Sequence, residues 1–157
     1  MRKRIIGIDP GANGAYTVIY EDGKMEVNNL PESFELVETL KDLMPLESDI
    51  KVICYLEKVG GHVAGRSSPG SYMFNFGQGY GILKGVMMAL GIPFMLVRPQ
   101  DWQKGIGGLV PGGENQASRK HALADEAKRR HPDLKVTLKN ADSILIADFA
   151  ERMERFK

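Results

Sequence analysis

Three short apolar runs near the start of the chain have the pattern of β-strands. The run from Arg4 to Asp9 is apolar on both faces, with isoleucines at 5, 6 and 8, which is typical of a strand buried in the middle of a sheet. Residues 15–20 and 25–29 form two more such runs, and the Asp-Gly pair at 22–23 between them is a strong hairpin signal. We therefore predict an antiparallel hairpin next to a buried first strand.

The rest of the chain alternates helical and strand-like patterns. Four segments are predicted to be helices, namely 33–44, 72–90, 116–130 and 141–153, the second from glycines that recur every four residues and the others from their amphipathic or apolar pattern. Two more apolar runs have the strand pattern, namely 50–56 and 92–97. This order predicts a single α/β domain over residues 1–157 with a mixed five-stranded sheet. Its first three strands are antiparallel, and its later strands run parallel to the first.

The first predicted helix has a clear apolar stripe. The residues of this stripe, which we expect to face the core, are Phe34, Val37, Leu40, Leu43 and Met44. Pro45 marks the end of the helix.

Glycine is distributed unusually in the second predicted helix. Gly77, Gly81 and Gly85 recur every four residues and so lie on one stripe of the helix. Glycine in a helix interior costs about 1 kcal/mol relative to alanine, so three on one stripe indicate a compensating contact with a sheet, a subunit or DNA. The segments 60–71 and 99–113 are rich in Gly and are predicted to be irregular, the first as a mobile loop.

Composition excludes several classes of protein. A content of 43% hydrophobic and 26% charged residues is that of an ordinary globular domain. The longest apolar stretch, residues 85–97, contains Pro93 and is shorter than the roughly 20 residues of a membrane span. The apolar run after the basic N-terminal residues is too short for a signal peptide. Because the single Cys54 has no partner for an internal disulfide, we expect a cytoplasmic protein.

The charge is unevenly placed, although the formal net charge is only +1. Residues 1–50 contain 5 basic and 10 acidic side chains, whereas residues 51–157 contain 16 basic and 10 acidic ones. Such an asymmetry is compatible with a face that binds a polyanion, and equally with an uneven but solvated surface.

Two carboxylates end strands that are predicted to be parallel neighbours. Asp9 and Glu57 would lie at the same edge of the sheet, about 4.8 Å apart along the strand-to-strand direction. Asp142 begins the last predicted helix, where an anion is favoured, and it would join them if that helix packs beside the first strand. Taken singly, Asp9 is better explained as a turn former and Asp142 as a helix cap, whereas Glu57 has no local structural role. The functional interpretation therefore rests on the joint placement of the three acids.

A divalent cation would make such a cluster favourable. Three converging carboxylates repel one another and raise one another's pKa values unless a cation neutralises them. Ligands that are all oxygen favour Mg²⁺, with Mn²⁺ as a substitute, over Zn²⁺. The histidines, at 62, 121 and 131, are scattered without metal-ligand spacing, which favours plain surface roles for them.

Five segments carry a resemblance to a known family. They are GIDPGANGA at 7–15, YLEKV at 55–59, FGQGYGILKGVMMALGIP at 76–93, VRPQDWQKGIG at 97–107 and NADSILIADFA at 140–150. In this order they resemble the RuvC-like Holliday junction resolvases of the RNase H-like superfamily, in particular the resolvases encoded by phages. The resemblance implies an RNase H-like fold, with Asp9, Glu57 and Asp142 as metal-binding catalytic carboxylates.

The chain departs from that family at several positions. A fourth ligand, an acid or a His, is usual three or four residues before the last Asp, where this chain has Lys139 and Leu138. Asp148 is a poor substitute because six residues turn a helix by about 240° from Asp142, and Asn140 would bind only weakly or through water. Trp102 is interpreted as a core residue or as part of the family motif.

Basic side chains along the later half of the chain are candidates for DNA phosphate contacts. They are Arg66, Lys104, Arg119 and Lys120, and an ordinary solvated face is the alternative. Lysines common in the family are replaced by Gln103 and Asn115.

The resemblance implies metal-dependent hydrolysis of phosphodiester bonds in branched DNA. Paired symmetric cuts in a four-way junction would leave 5′-phosphate and 3′-hydroxyl ends, and a C2 homodimer would match the symmetry of the junction. The expected setting is the cytoplasm of a bacterium or of a phage-infected host. Two alternatives remain, a junction-binding module without catalysis and, from the Gly7 to Gly14 turn, a fragment of an actin-like or sugar-kinase-type ATPase.

Overall fold

Five strands form one mixed sheet at the centre of the structure, a computed structural model that describes residues 2–11, 13–60, 70–107, 109 and 116–156. The strands are β1 (Arg2–Asp9), β2 (Ala15–Ile19), β3 (Met25–Asn29), β4 (Ile50–Glu57) and β5 (Phe94–Val97). Their order is β3-β2-β1-β4-β5; β1, β2 and β3 pair antiparallel, and β1, β4 and β5 pair parallel. This arrangement confirms the predicted fold class.

The β2–β3 turn has the predicted hairpin chemistry. Gly23 has φ +86°, a backbone conformation that favours glycine, and the Asp22 side chain accepts a hydrogen bond from the Lys24 N–H at 2.9 Å. The Asp-Gly pair therefore fixes the turn through a left-handed backbone and a local side-chain bond.

Five helices flank the sheet among the residues that the structure describes. They are α1 (Ser33–Asp42), α2 (Gly70–Ala89), α3 (Pro99–Trp102), α4 (Gln116–Arg130) and α5 (Ala141–Arg155). The segment predicted as irregular from residue 99 instead begins with α3, because Pro99 at its first turn has a backbone already set for a helix. The predicted loop at 60–71 is shortened, since α2 begins at Gly70, and residues 61–69 lie outside the described residues.

The sheet separates two apolar cores, which explains why its inner strands are apolar on both faces. On one face Ile5, Ile53 and Tyr55 pack with α3, α4 and α5. On the other face Ile6 and Leu56 pack with α1 and α2. Strand side chains alternate between faces, so Asp9 and Glu57 share the face of α5 with Ile5 and Tyr55.

The predicted apolar stripe of α1 is wrong at its first residue. Phe34 is 93% exposed, whereas Leu36, Leu40 and Leu43 are buried against the sheet. The helix is rotated so that its buried stripe starts at Leu36, which places Phe34 on the solvent side.

Helix α5 lies unusually close to β1. A methyl group on Gly7 would be 2.7 Å from the Ser143 carbonyl oxygen and would also collide with the backbone nitrogen of Ala147. The buried hydroxyls of Thr17 and Ser143 share a hydrogen bond of 2.8 Å, which ties the same helix to β2. Only glycine at position 7 allows this approach, and the approach brings the start of α5 to the end of β1.

Helix α2 covers the opposite core with a small part of its surface. Within the part of the chain that the structure describes, its buried residues are Leu83 and Met87. Tyr72, Phe74, Ile82 and Met88 are exposed on the same helix. No described helix is long and apolar enough to cross a membrane.

Candidate active site at the carboxyl ends of β1 and β4

Two carboxylates are placed side by side by strand register. Ile8 pairs with Leu56 in the parallel β1–β4 ladder, so the next positions, Asp9 and Glu57, are neighbours at the carboxyl ends of the two strands. Both side chains are half-buried. The structure therefore brings together the two acids that the strand pattern predicted at one edge of the sheet.

Asp142 enters this edge from the first turn of α5. It is 6% exposed, and it precedes Ser143, whose backbone packs against Gly7. One oxygen, Oδ2, accepts a hydrogen bond from Lys120 Nζ of α4 at 2.6 Å. The other oxygen, Oδ1, is buried and has no hydrogen-bond partner among the described residues.

The three carboxylates act on one another electrostatically. Burial, followed by the charges of Asp142 and Glu57, raises the pKa of Asp9 well above its ordinary value. Burial and the charge of Asp142 raise the pKa of Glu57 to about 7, against the opposing effects of Trp102, Lys120 and Arg119. The charge of Asp142 thus acts on both Asp9 and Glu57, so the three carboxylates lie in one neighbourhood.

Lys120 supplies the positive charge in this structure. Burial alone would lower the pKa of Lys120, but the charge and hydrogen bond of Asp142, with the charges of Asp9 and Glu57, outweigh it and raise the pKa. The ammonium group of Lys120 therefore neutralises part of the carboxylate cluster.

The donor set suits a hard divalent cation, although it is not arranged as a finished metal site. Over the described ranges, no group of three or more His, Cys, Asp or Glu side chains is placed so that it could hold a metal ion. The unpartnered Oδ1 of Asp142 and the repulsion among the acids are both relieved by a cation with oxygen ligands. In their donor chemistry these residues suit Mg²⁺ or Mn²⁺, and an ion bound to Asp142 Oδ2 would have to displace Lys120.

Glu57 is held by two aromatic side chains that the sequence did not mark as partners of the site. Trp102 donates from Nε1 to Glu57 Oε2 at 2.9 Å, and the Tyr80 hydroxyl donates to the Glu57 carbonyl oxygen at 3.2 Å. Trp102 is also a core residue, as one of its two interpretations predicted, since it is 2% exposed.

A cavity of about 470 Å³ opens beside Asp9. Asn13, Lys120, His121 and Lys139 are among the residues that line it. His121, which was predicted to have a plain surface role, is exposed at this cavity. No spacing pattern in the sequence marks His121 as a site residue, because it shares a cavity with Asp9 only through the packing of α4 beside the sheet.

The positions discussed for a fourth ligand do not supply an acid to the cluster. Lys139 lines the cavity, and Asn140 uses its side chain to accept from the Thr137 N–H at 2.7 Å. Asp148 is bound elsewhere, to His131 Nε2 at 2.8 Å and to Arg130.

The predicted DNA-binding residues have different placements. Lys120 lies inside the carboxylate cluster, and Arg119 is half-buried and close enough to Glu57 to lower the pKa of Glu57. Lys104 is exposed just after α3. Arg66 lies outside the described residues.

Comparison with solved structures identifies the fold. The Thermus thermophilus RuvC structure superposes with a TM-score of 0.57 at 16% identity, and 96% of each chain is covered. The T. thermophilus RuvC in complex with Holliday junction substrate gives a TM-score of 0.62 at 14% identity, with the same coverage. The chain has the RuvC fold. The RuvC likeness extends over nearly the whole chain, and it is consistent with the predicted RNase H-like mixed sheet.

The sequence itself gives no such match. No protein-family model matches the chain, and no curated protein matches it either. The likeness to RuvC at these low identities therefore concerns the fold, and the chemistry rests on the side chains.

Proposed function

We propose that the chain is a RuvC-like, metal-dependent endonuclease that resolves four-way DNA junctions. The observation that carries this proposal is the meeting of Asp9, Glu57 and Asp142 at the carboxyl ends of two parallel strands, on a RuvC fold. The charges of Asp142 and Glu57 raise the pKa of Asp9, and the charge of Asp142 raises the pKa of Glu57. This repulsion destabilises the folded protein, so the convergence of the three acids favours a functional role over a structural one.

The three acids would hold Mg²⁺ or Mn²⁺. When bound, such an ion supplies an activated water and stabilises the charge that develops on the phosphodiester. The Oδ1 atom of Asp142 has no hydrogen-bond partner among the described residues and could bind the ion directly, whereas its Oδ2 atom could do so only without the hydrogen bond from Lys120. Lys120, His121 and Lys139 line the cavity beside Asp9, where their donors suit a DNA phosphate.

The substrate class is supported by the structural comparison. RuvC of the same fold has been solved with Holliday junction substrate. We propose that this chain binds the same class of branched DNA and makes paired symmetric cuts that leave 5′-phosphate and 3′-hydroxyl ends. Two opposed cuts require two sites related by two-fold symmetry, which a C2 homodimer provides.

The exposed surface of α2 is the proposed face of that homodimer. Gly77, Gly81 and Gly85 have open space where a Cβ would be, so the backbone of a second copy can come close. Exposed apolar side chains at Phe74 and Met88 lie on the same helix. A second copy would remove this apolar surface from water.

The decisive experiment is cleavage of a labelled four-way junction. The protein is incubated with the junction in Mg²⁺, in EDTA, and with a linear duplex of the same sequence. Paired nicks at symmetric positions that need Mg²⁺ and the branch support the proposal. Equal cutting of the duplex, or no cutting by a protein that binds Mg²⁺ and the junction, contradicts it.

A junction-binding module without catalysis is the second candidate. Two observations favour it, namely Lys139 at the usual place of a fourth ligand and the ammonium of Lys120 within the carboxylate cluster. This candidate predicts a gel shift of the junction that is the same in Mg²⁺ and in EDTA, with no nicks in either.

A further inference from the structure

We propose that Trp102 is a positioning residue, which fixes the Glu57 carboxylate through its indole N–H so that the carboxylate can bind the metal ion. This inference rests on the proposed nuclease function, because it takes Glu57 to be a metal ligand. It assigns a role in the site to a side chain that would otherwise be counted only as part of the core.

The direction of the hydrogen bond suits this role. An indole N–H can donate and cannot accept, so its partner must present an oxygen lone pair. The 2.9 Å separation of Trp102 Nε1 from Glu57 Oε2 is an ordinary hydrogen-bond length. Since the bond engages Oε2, Glu57 can bind a cation through Oε1 without giving up its contact with Trp102.

Trp102 is itself firmly placed. It ends the short helix α3, where the Gln103 N–H donates to the Pro99 carbonyl at 3.0 Å and Gly105 turns the chain with φ +83°. Its ring is 2% exposed and belongs to the core that contains Ile106 and Leu123. A rigid donor of this kind holds a carboxylate in one rotamer better than a solvent-exposed donor does.

The backbone around Glu57 is also held in place. The Lys58 N–H donates to the Val97 carbonyl at 2.7 Å, which continues the β4–β5 pairing past Glu57. Tyr80 donates to the Glu57 carbonyl oxygen. Both ends of the residue are therefore fixed, the main chain by β5 and α2 and the carboxylate by Trp102.

The size of the expected effect follows from comparable metal sites. Removing a side chain that orients a metal ligand typically weakens metal binding by about 10–100-fold. Trp102→Phe keeps a buried aromatic ring and removes the N–H. A residue that only filled space would change thermal stability in this variant and would leave metal affinity unchanged.

The hydrogen bond is tested directly by NMR, because the chain contains one tryptophan and gives one indole N–H resonance. We expect Glu57→Ala to move that resonance in the metal-free protein, and Mg²⁺ to move it in the wild type with the same midpoint as metal binding measured by calorimetry. An indole resonance that responds neither to Glu57→Ala nor to saturating Mg²⁺ overturns the proposal, whether or not Trp102 variants fold.

Metal affinity is tested with two matched variants. We expect Trp102→Phe to raise the dissociation constant for Mn²⁺ by at least about tenfold. Tyr55→Phe is the control, because it also removes a buried bond to a carboxylate, from Tyr55 to Glu154 at 3.2 Å, away from the site. We expect it to bind Mn²⁺ like the wild type. Equal affinity of the wild type and a folded Trp102→Phe protein overturns the proposal.

The outcome separates this inference from the proposed function. A wild type that binds neither Mg²⁺ nor Mn²⁺ contradicts the nuclease function, and the inference with it. Normal metal-dependent cleavage by the wild type, with an unchanged metal requirement in Trp102→Phe, contradicts only the role of Trp102. Junction affinity in EDTA should be equal for the two proteins, since Trp102 acts on the metal ligand and not on DNA.

Discussion

The pKa of Glu57 predicts how a neutral replacement changes the stability of the metal-free protein. The folded structure raises this pKa from 4.5 to about 7, chiefly through burial and the charge of Asp142. A change of that size corresponds to about 3 kcal/mol of differential interaction. Glu57→Gln keeps the shape of the side chain and an oxygen acceptor for Trp102, but removes the titrating charge.

The sign of the effect follows from proton linkage. Between about pH 4.5 and about pH 7 the folded wild type holds a proton that the unfolded chain has released, so its unfolding free energy falls as the pH rises. Above about pH 7 the wild type has lost all of the unfolding free energy that depends on protonated Glu57, whereas Glu57→Gln has no such pH-dependent contribution. We expect the variant to gain about 3 kcal/mol relative to the wild type between about pH 4.5 and about pH 8. Asp9 acts in the same direction, because the charge of Glu57 contributes to its raised pKa.

Urea unfolding in EDTA across this pH range measures the difference. Parallel pH profiles for the wild type and Glu57→Gln would refute the electrostatic argument. Repeating the experiment in saturating Mg²⁺ provides the control, because bound metal should stabilise the wild type at pH 8 and leave the variant little changed. A variant that gains as much stability from Mg²⁺ as the wild type would exclude Glu57 as a ligand.

Four further predictions concern the site and the fold. Asp9→Asn should lower junction cleavage by about 10²–10⁴-fold, with junction affinity unchanged in a gel shift, and substantial residual cutting would contradict the assignment. Lys120→Met should lower the unfolding free energy of the metal-free protein at neutral pH by roughly 1–3 kcal/mol in urea unfolding, and Mg²⁺ should restore it. If the variant is equally destabilised with Mg²⁺ present, the ion does not replace the Lys120 ammonium group. Gly7→Ala should cost about 3 kcal/mol or more in urea unfolding because the methyl group meets the backbone of α5, and a stable Gly7→Ala protein would refute the close approach of α5. Gly85→Ala should stabilise the isolated subunit by up to about 1 kcal/mol and weaken the homodimer in analytical ultracentrifugation, and an unchanged homodimer would refute the proposed α2 face. Junction binding should weaken steeply with added salt, and a flat salt dependence would exclude phosphate contacts as its main source.

The sheet, and two of the three acids of the candidate site, could be predicted from the sequence because each is marked by a short stretch of neighbouring residues. Strands that are apolar on both faces, one Asp-Gly turn and the alternation of later strands with helices predicted an antiparallel start followed by parallel strands, and the structure has this arrangement. Asp9 and Glu57 come together because each ends its strand, which is a property of two short runs. The place of Asp142 depended on the packing of α5 beside β1, for which the sequence offered only the amphipathic pattern of the helix.

The remaining features depend on packing between distant segments, which periodicity does not record. Nothing in the residues around Trp102 shows that its N–H reaches Glu57, since the contact requires β5 and α3 to follow β4 in space. From the sequence alone, Lys120 could contact DNA or pair with a carboxylate, and only the structure shows its pairing with Asp142. Phe34 was misplaced because an apolar stripe leaves the rotation of a short helix uncertain by about one residue.

The hydroxyl pair of Thr17 and Ser143 joins residues that are 126 positions apart along the chain. Closing so long a loop costs entropy before the contact is gained, so we expect this contact to form late in folding. Asp142 reaches the edge of the sheet only when this part of α5 is in place. We therefore expect partly folded chains, including nascent ones, to have no complete carboxylate cluster, so that DNA is exposed only to fully folded copies of the proposed nuclease.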